Sequence, residues 1–281
     1  MSAPKVRVGV LKMGCLGSSP LLEYLLDERA DREDIEVRVV GSGAKLVEEE
    51  GVEAAKKLVE LKPQLAILVS PNAALPGPMK ALGVLREAGI PTIVVSDAPA
   101  AKAKDKFEEL GAGYIFVQAD SMIGARREFL DPVEMALFNA DVIKVLAITG
   151  AFAVLFQEID KAISALKEGK TPELPKIVLN SEKAVEAAGF TNPYAKAKAM
   201  AAYEIAAAVA KLTTAACFKI KEWERYTVYA AAAHEVMRYA ALLADEAREI
   251  EKKGDTVLRR PHSRKGEILK KLRLIEKPSR E

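Results

Sequence analysis

Residues 6–20 read VRVGVLKMGCLGSSP. Val6 to Leu11 is a short, nearly all-apolar run, the pattern of a strand covered on both faces. Gly14 and Gly17 then interrupt it, and Ser18 or Ser19 suits the cap of a helix that takes Pro20 in its first turn. Working outward, the same alternation continues. Ile35 to Val40 is a second strand, followed by the loop GSGAK and a helix from about Glu48 to Leu61. Leu65 to Ser70 is a third strand, which runs into PNAALPGP at residues 71–78. That loop is too rich in proline to be helical before about Pro78, after which a helix continues to Glu87. Thr92 to Ser96, ending at Asp97, and Tyr114 to Val117 are the fourth and fifth strands. Apolar strands alternating with amphipathic helices build a parallel sheet with helices on its faces.

After Asp131 the texture changes. Pro132 opens a long helix through Val133 to Leu166, with Gly150 as its break and GKTPELP as its end. A second helical stretch runs from near Pro193, in two pieces, to about Lys253. Nineteen alanines lie between Ala195 and Ala247. Their small side chains let helices approach closely, which predicts a bundle, part of whose surface faces another subunit. Two extended runs around Pro261 to Gly266 predict a small antiparallel hairpin. The expected fold class is therefore α/β, with a Rossmann-like parallel sheet domain over 1–131, a helical bundle region over 132–253 and a small C-terminal antiparallel β element over 254–281.

Of 281 residues, 50% are hydrophobic and 29% charged, a balance that excludes a disordered chain. Forty-two Lys and Arg against forty Asp and Glu give a net charge of +2, too little to draw in nucleic acid. Twelve of those bases, against five acids, fall between Arg248 and Arg280, a local basic tail suited to an anionic ligand or partner. The longest strongly apolar run, Val145 to Phe156, is broken by Thr149 and Gly150 and falls short of the roughly 18 residues of a membrane span. No secretory signal pattern opens the chain, so the cytoplasm is expected. Two cysteines and two histidines have no zinc-site or disulfide spacing, so no metal centre is expected. Few Asn and Gln beside many charges point to a heat-adapted source.

In an open parallel sheet, ligands bind at the carboxyl ends of the strands. The informative loops are then Lys12 to Ser19, Gly41 to Lys45, Ser70 to Pro78, Asp97 to Ala101 and Gln118 to Ile123. The first offers Gly14, Gly17 and Ser18 at a helix N-terminus, a place for an anion such as phosphate or for turn chemistry alone. It is not G-x-G-x-x-G, and the second strand ends in Val40, Gly41 and Ser42 without a ribose-gripping acid, so a nicotinamide dinucleotide is disfavoured. The proline-rich loop is a small-sided wall for a flat ring, or only a stiff turn. Asp97 and Asp120 are placed either to grip an aminopyrimidine edge or to cap helices. Cys15 has no His or second Cys near it in sequence and reads as a passive loop residue. His234 reads as a hydrogen-bonded core or interface residue, and Trp223, Tyr226 and Tyr229 as packing on one helix face.

The runs VRVGVLKMGCLGSSPLLEYLLDERADREDI, PNAALPGP, IVVSDAP, FNADVIKVLAITGAFAVLFQEID and KIVLNSEKAVEAAGFTNPYAKAKAMAAYEIA closely resemble the coenzyme F-420-dependent methylenetetrahydromethanopterin dehydrogenases of methanogenic archaea. The likeness extends over nearly the whole chain. It implies reversible hydride transfer between 5,10-methylenetetrahydromethanopterin and the deazaflavin coenzyme F-420, a diffusible cosubstrate. The product is 5,10-methenyltetrahydromethanopterin, in methanogenesis from carbon dioxide. It also implies a homohexamer built from dimers and no metal. Chemistry of this kind needs no acid or base from the protein, because coenzyme and pterin carry the redox-active atoms.

With that ligand pair, the expected coenzyme contacts are Lys12, Gly14, Cys15, Leu16, Gly17 and Ser18 after the first strand. Ser42, Gly43, Ala44 and Lys45 follow the second strand, and Pro71, Asn72, Ala73, Ala74 and Leu75 flank the ring. Asp97, Ala98, Pro99 and Asp120 are the expected pterin contacts. The rival readings are a pterin dehydrogenase using NADP, one using an iron cofactor held through Cys15, and a non-catalytic α/β ligand-binding module.

Overall fold

Six short apolar runs pair side by side, all parallel, in the order β2-β1-β3-β4-β5-β6. The structure is a computed structural model that describes residues 5–28, 31–121, 126 and 128–280. The strands are β1 (Val6–Lys12), β2 (Ile35–Gly41), β3 (Leu65–Ser70), β4 (Thr92–Asp97), β5 (Gly113–Val117) and β6 (Lys176–Leu179). Every residue of β3, β4 and β5 is buried, as an apolar strand in a doubly covered sheet must be. Val10 pairs with Val39 on one side and Ile67 on the other, which sets the register at the centre.

Helices α2 (Glu48–Glu60), α3 (Pro76–Glu87) and α4 (Lys104–Glu109) cover one face, where Leu11, Leu58, Leu68, Leu82, Phe107 and Phe116 form a core. Helices α1 (Ser18–Asp27), α5 (Pro132–Thr149) and α6 (Ala151–Lys167) cover the other, around Val8, Leu22, Ile67, Val95, Leu146 and Ile159. Each such side chain contributes about 1.5–3 kcal/mol by leaving water.

Four local expectations need correction. Strand β6 and helix α7 (Ser181–Ala188) were not foreseen; the sheet is completed by four residues from beyond 131, led in by Pro172 and Pro175. Helix α3 begins at Pro76, two residues early, because first-turn N–H groups need no partner and proline is at home there. Ser18 and Ser19 do not cap α1; Gly17 is its N-cap, without a side-chain bond of its own. Finally, helix α8 (Pro193–Thr214) with the π-turn 215–219 is 27 residues long and contains an 18-residue window with a mean hydropathy of 1.2, so by length and composition it is apolar enough to cross a membrane. On it Ala195, Ala199, Ala202 and Ala206 form one fully buried stripe. Helix α9 (Trp223–Lys253) packs against α8 and answers with Ala233, Ala240, Ala244 and Ala247.

The chain bends by 69° between α5 and α6 at Gly150, the foreseen break. The C-terminal hairpin is also present, as antiparallel bridges Arg259 to Lys271 and His262 to Ile268, extended by β7 (Leu269–Lys270) pairing with β8 (Ser279–Arg280). His262, fully buried, fastens this segment to the sheet domain: its ring nitrogens face Glu28 at 2.9 Å and Asp160 at 2.7 Å. His234 is part-buried, its ring 4.7 Å from Phe129 and 4.4 Å from Phe138 with Nδ1 3.5 Å from Glu134, while its buried Nε2 has no hydrogen-bond partner among the described residues.

Candidate active site

At the carboxyl edge, backbone bonds tie the first three strand-end loops together. Gly14 donates its N–H to Gly43, Ser42 to Lys12, and Met13 to Val69. Gly14 has φ +80°, and a Cβ there would lie 3.0 Å from Pro71 and 3.1 Å from Leu46. The structure therefore gathers Gly14, Gly43 and Pro71 from three separate loops. Only glycine at 14 allows both the left-handed backbone and that approach.

The proline-rich loop is stitched to its neighbour strand. Ser96 donates its hydroxyl to Ser70 O at 2.6 Å and accepts the N–H of Ala73 at 3.0 Å. Asn72 folds its side chain back to accept from Ala74 N, and Leu75 stays 36% exposed. Cys15 lies near Asn139 of α5, Sγ to Oδ1 3.9 Å, and burial pushes its thiol pKa up. Burial thus disfavours the free thiolate, the form that attacks as a nucleophile.

The charged residues are committed in ways the sequence left open. Lys12 faces Glu23 at 3.9 Å, and Lys45 binds Glu50 at 2.7 Å, a bond that raises the lysine's pKa. Ser42 turns its hydroxyl onto the carbonyl of Lys45. Asp97, nearly buried, accepts the N–H of Ala98 and caps the 3-10 helix Ala98–Ala103, in which Pro99 is exposed. Asp120 is fully buried and caps α1 from 103 positions away, accepting from Gly17 N at 2.7 Å, Ser18 N at 2.8 Å and the Ser18 hydroxyl. A carboxylate therefore already occupies the helix N-terminus where an anion was expected, and both aspartates act as caps. Of the loop after β5, Met122 and Ile123 lie outside the described residues, as do residues 1–4 at the chain start. Ser121 donates to Ala206 O on α8, and Tyr203 to Leu179 O at the end of β6, which docks the helical region above these loops.

Burial drives the Asp120 carboxyl up from 3.8 to about 6, against the opposing pull of its three hydrogen bonds. Because the folded chain holds this proton more tightly than the unfolded one, the stability it adds is complete below 3.8 and disappears as pH rises through 6. The rise is worth about 3 kcal/mol. Wild-type denaturation midpoints are expected to fall across that window, and Asp120→Asn to flatten the decline. A wild-type profile without it would show that the site holds a charged carboxylate at no cost.

Sequence reasoning missed Asn139 and Ser96, which reach the loops from α5 and β4. Neither had a local signal, since each acts across long sequence separations. Among the described residues no group of His, Cys, Asp and Glu is placed to hold a metal ion. A cavity of about 1160 Å³ lies at the amino ends of the strands, lined by Pro91, Gly111 and Pro175. Its walls come from turns entering strands, whereas the convergent loops and the helix start are at the carboxyl edge, where ligands of open parallel sheets bind.

A doubly wound parallel sheet with backbone-rich loops gathered at its carboxyl edge defines an α/β fold of the class whose ligands bind at that edge. Residues 6–279 match the family model of methylene-5,6,7,8-tetrahydromethanopterin dehydrogenase, and the chain belongs to that family. It is 63% identical over 275 residues to an F-420-dependent methylenetetrahydromethanopterin dehydrogenase of Archaeoglobus fulgidus, covering 97% of this chain and 99% of the relative. It is 56% identical over 274 residues to the protein of the same name from Methanocaldococcus jannaschii, with the same coverages. A solved structure of an F-420-dependent methylenetetrahydromethanopterin dehydrogenase, in complex with methylenetetrahydromethanopterin and coenzyme F-420, superposes with a TM-score of 0.95 at 46% identity. The match covers 98% of this chain and 100% of that one.

Proposed function

We propose that this protein is an oxidoreductase that moves a hydride reversibly between 5,10-methylenetetrahydromethanopterin and coenzyme F-420. The product is 5,10-methenyltetrahydromethanopterin, and the reaction belongs to methanogenesis from carbon dioxide. The observation that carries this reading is the 46%-identical structure of the same fold that holds both molecules.

The coenzyme supplies the hydride-accepting ring. The protein's part is placement, for which good orientation alone is worth roughly 7–11 kcal/mol of barrier. Exposed Gly43 and Ala44, with the partly exposed Asn72 and Ala74, present backbone and short side chains that suit a flat coenzyme, whereas Gly14, Pro71 and Ala73 are buried. Gly17 and Ser18 have their N–H groups engaged by Asp120, so the coenzyme's anionic tail falls to Lys12 and Lys45. Exposed ion pairs such as theirs are worth little and exchange readily for a ligand anion. Asp97 with Ala98 and Pro99 faces the pterin, while Asp120 acts through the loop it caps. In this reading 1–131 forms most of the ligand face, 132–253 closes it from above and assembles the homohexamer of dimers, and 254–281 braces the far end. Exposed Val133 and Leu137 on α5, with Tyr239 and Leu242 on α9, support such assembly.

Mixing the protein with methylenetetrahydromethanopterin and oxidised coenzyme F-420 should bleach the oxidised coenzyme's absorbance, with no response to NAD or NADP. Binding of both compounds without bleaching would make the chain a non-catalytic module. Stoichiometric iron in the purified protein would favour the iron reading.

A further inference from the structure

At the far end of α1 from Gly17, where α5 turns into α6, a cavity of about 300 Å³ opens between the helices and the C-terminal segment. Its apolar lining includes Phe152, Phe156 and Phe190. Three arginines contribute to its lining, Arg248 on α9 and Arg259 and Arg260 ahead of the hairpin. The two acids in the lining are already engaged. Glu28 accepts from the backbone N–H of His262 and faces its ring, and Glu251 accepts from Thr191, Asn192 and Thr256. Arg259 donates to the carbonyls of Val257 and Leu272, and Arg260 to that of Ala187, so the backbone holds both in position. Arg248, half-buried, has no hydrogen-bond or ion-pair partner among the described residues.

A concave, mostly apolar cavity with a few convergent polar groups is the form of a small-molecule site, and this volume is at the lower end of the usual range. Arg248 therefore adds to this lining a guanidinium that no acid among the described residues engages. A planar guanidinium fork matches a carboxylate or phosphate in a two-bond grip. We propose that this cavity binds a small aryl anion, its ring against Phe152 and Phe156 and its charged group on Arg248. None of these residues is among the coenzyme and pterin contacts proposed above.

The test is isothermal titration of the full-length protein with phenyl phosphate and with benzoate, which separate a phosphate from a carboxylate preference. Phenol and inorganic phosphate serve as half-ligands. Saturable binding of at least one aryl anion is expected, at least tenfold tighter than either half-ligand. Arg248→Gln should weaken it at least tenfold, and Arg248→Lys, which keeps the charge but not the fork, should weaken it less. Ala153→Phe, which fills the cavity, should abolish it. The proposal is overturned if neither aryl anion saturates, if inorganic phosphate binds as tightly as phenyl phosphate, or if the Arg248 variants bind like the parent.

Discussion

Gly150→Ala is expected to lower the stability of the chain by about 4 kcal/mol, although alanine is the better helix former. At Gly150 φ is +103° and ψ −2°, outside the regions an L side chain accepts, which alone costs about 1–3 kcal/mol. The added Cβ would stand 1.9 Å from Ala184 O and 2.9 Å from Ala188 Cβ. The first of these is backbone, so no rotamer change relieves it; α7 itself must move. It resists, because Asn180 caps it from the end of β6 and Ser181 bonds Glu204 on α8. Overpacking of this kind adds roughly 1–3 kcal/mol. The control is Gly83→Ala within α3, where a Cβ meets nothing within 4 Å and the same change should stabilise by about 1 kcal/mol. Denaturant midpoints of the two variants should move in opposite directions, and a Gly150→Ala midpoint within experimental error of wild type would contradict the bend geometry.

His262→Ala is expected to cost about 3–5 kcal/mol and to release the C-terminal segment. Its ring joins two carboxylates, and beyond Asp160 the chain of charges continues through buried Arg32 to Asp34, which Lys167 also reaches at 3.2 Å. Without the ring, Asp160 is left buried beside an empty space under Phe156, whose ring lies 4.9 Å from that of His262. Burial acts against the imidazolium, yet the bonds to Asp160 and Glu28 outweigh it and the pKa lies above its ordinary 6.5. The added stability is therefore full below 6.5 and is lost as pH climbs through the raised folded-state value. That window lies above the one belonging to Asp120, so the two can be separated on one stability profile. Amide hydrogen exchange over 254–280 should accelerate in the variant and, in wild type, at alkaline pH. Unchanged protection in both would detach His262 from the hold on this segment.

Reading the chain outward from residues 6–20 recovers much of the architecture because the signals are local. Leu65–Ser70 is a strand at the expected residues, since an unbroken apolar run between a loop and a proline has little else to become. Gly150 breaks the helix where its missing Cβ is needed. By contrast, β6 has only four residues and no helix-period or alternating pattern to mark it. It becomes a strand because Ile177 and Val178 find Ile115 and Phe116 across the ladder, a pairing between distant parts of the chain.

The candidate site divides in the same way. Which residue types stand at the strand ends, glycines, alanines and prolines among them, is written in the order of the amino acids. Their partners are not. Asp120 on Gly17 and Ser18, Ser96 on Ala73, Asn139 beside Cys15 and His262 between Glu28 and Asp160 are contacts made only once distant segments fold against each other. Hydrophobic period and backbone preference act over a few neighbours and so belong to the sequence. Whether a carboxylate is free for a ligand or already taken by a helix depends on where burial brings its donors, and only the tertiary structure decides that.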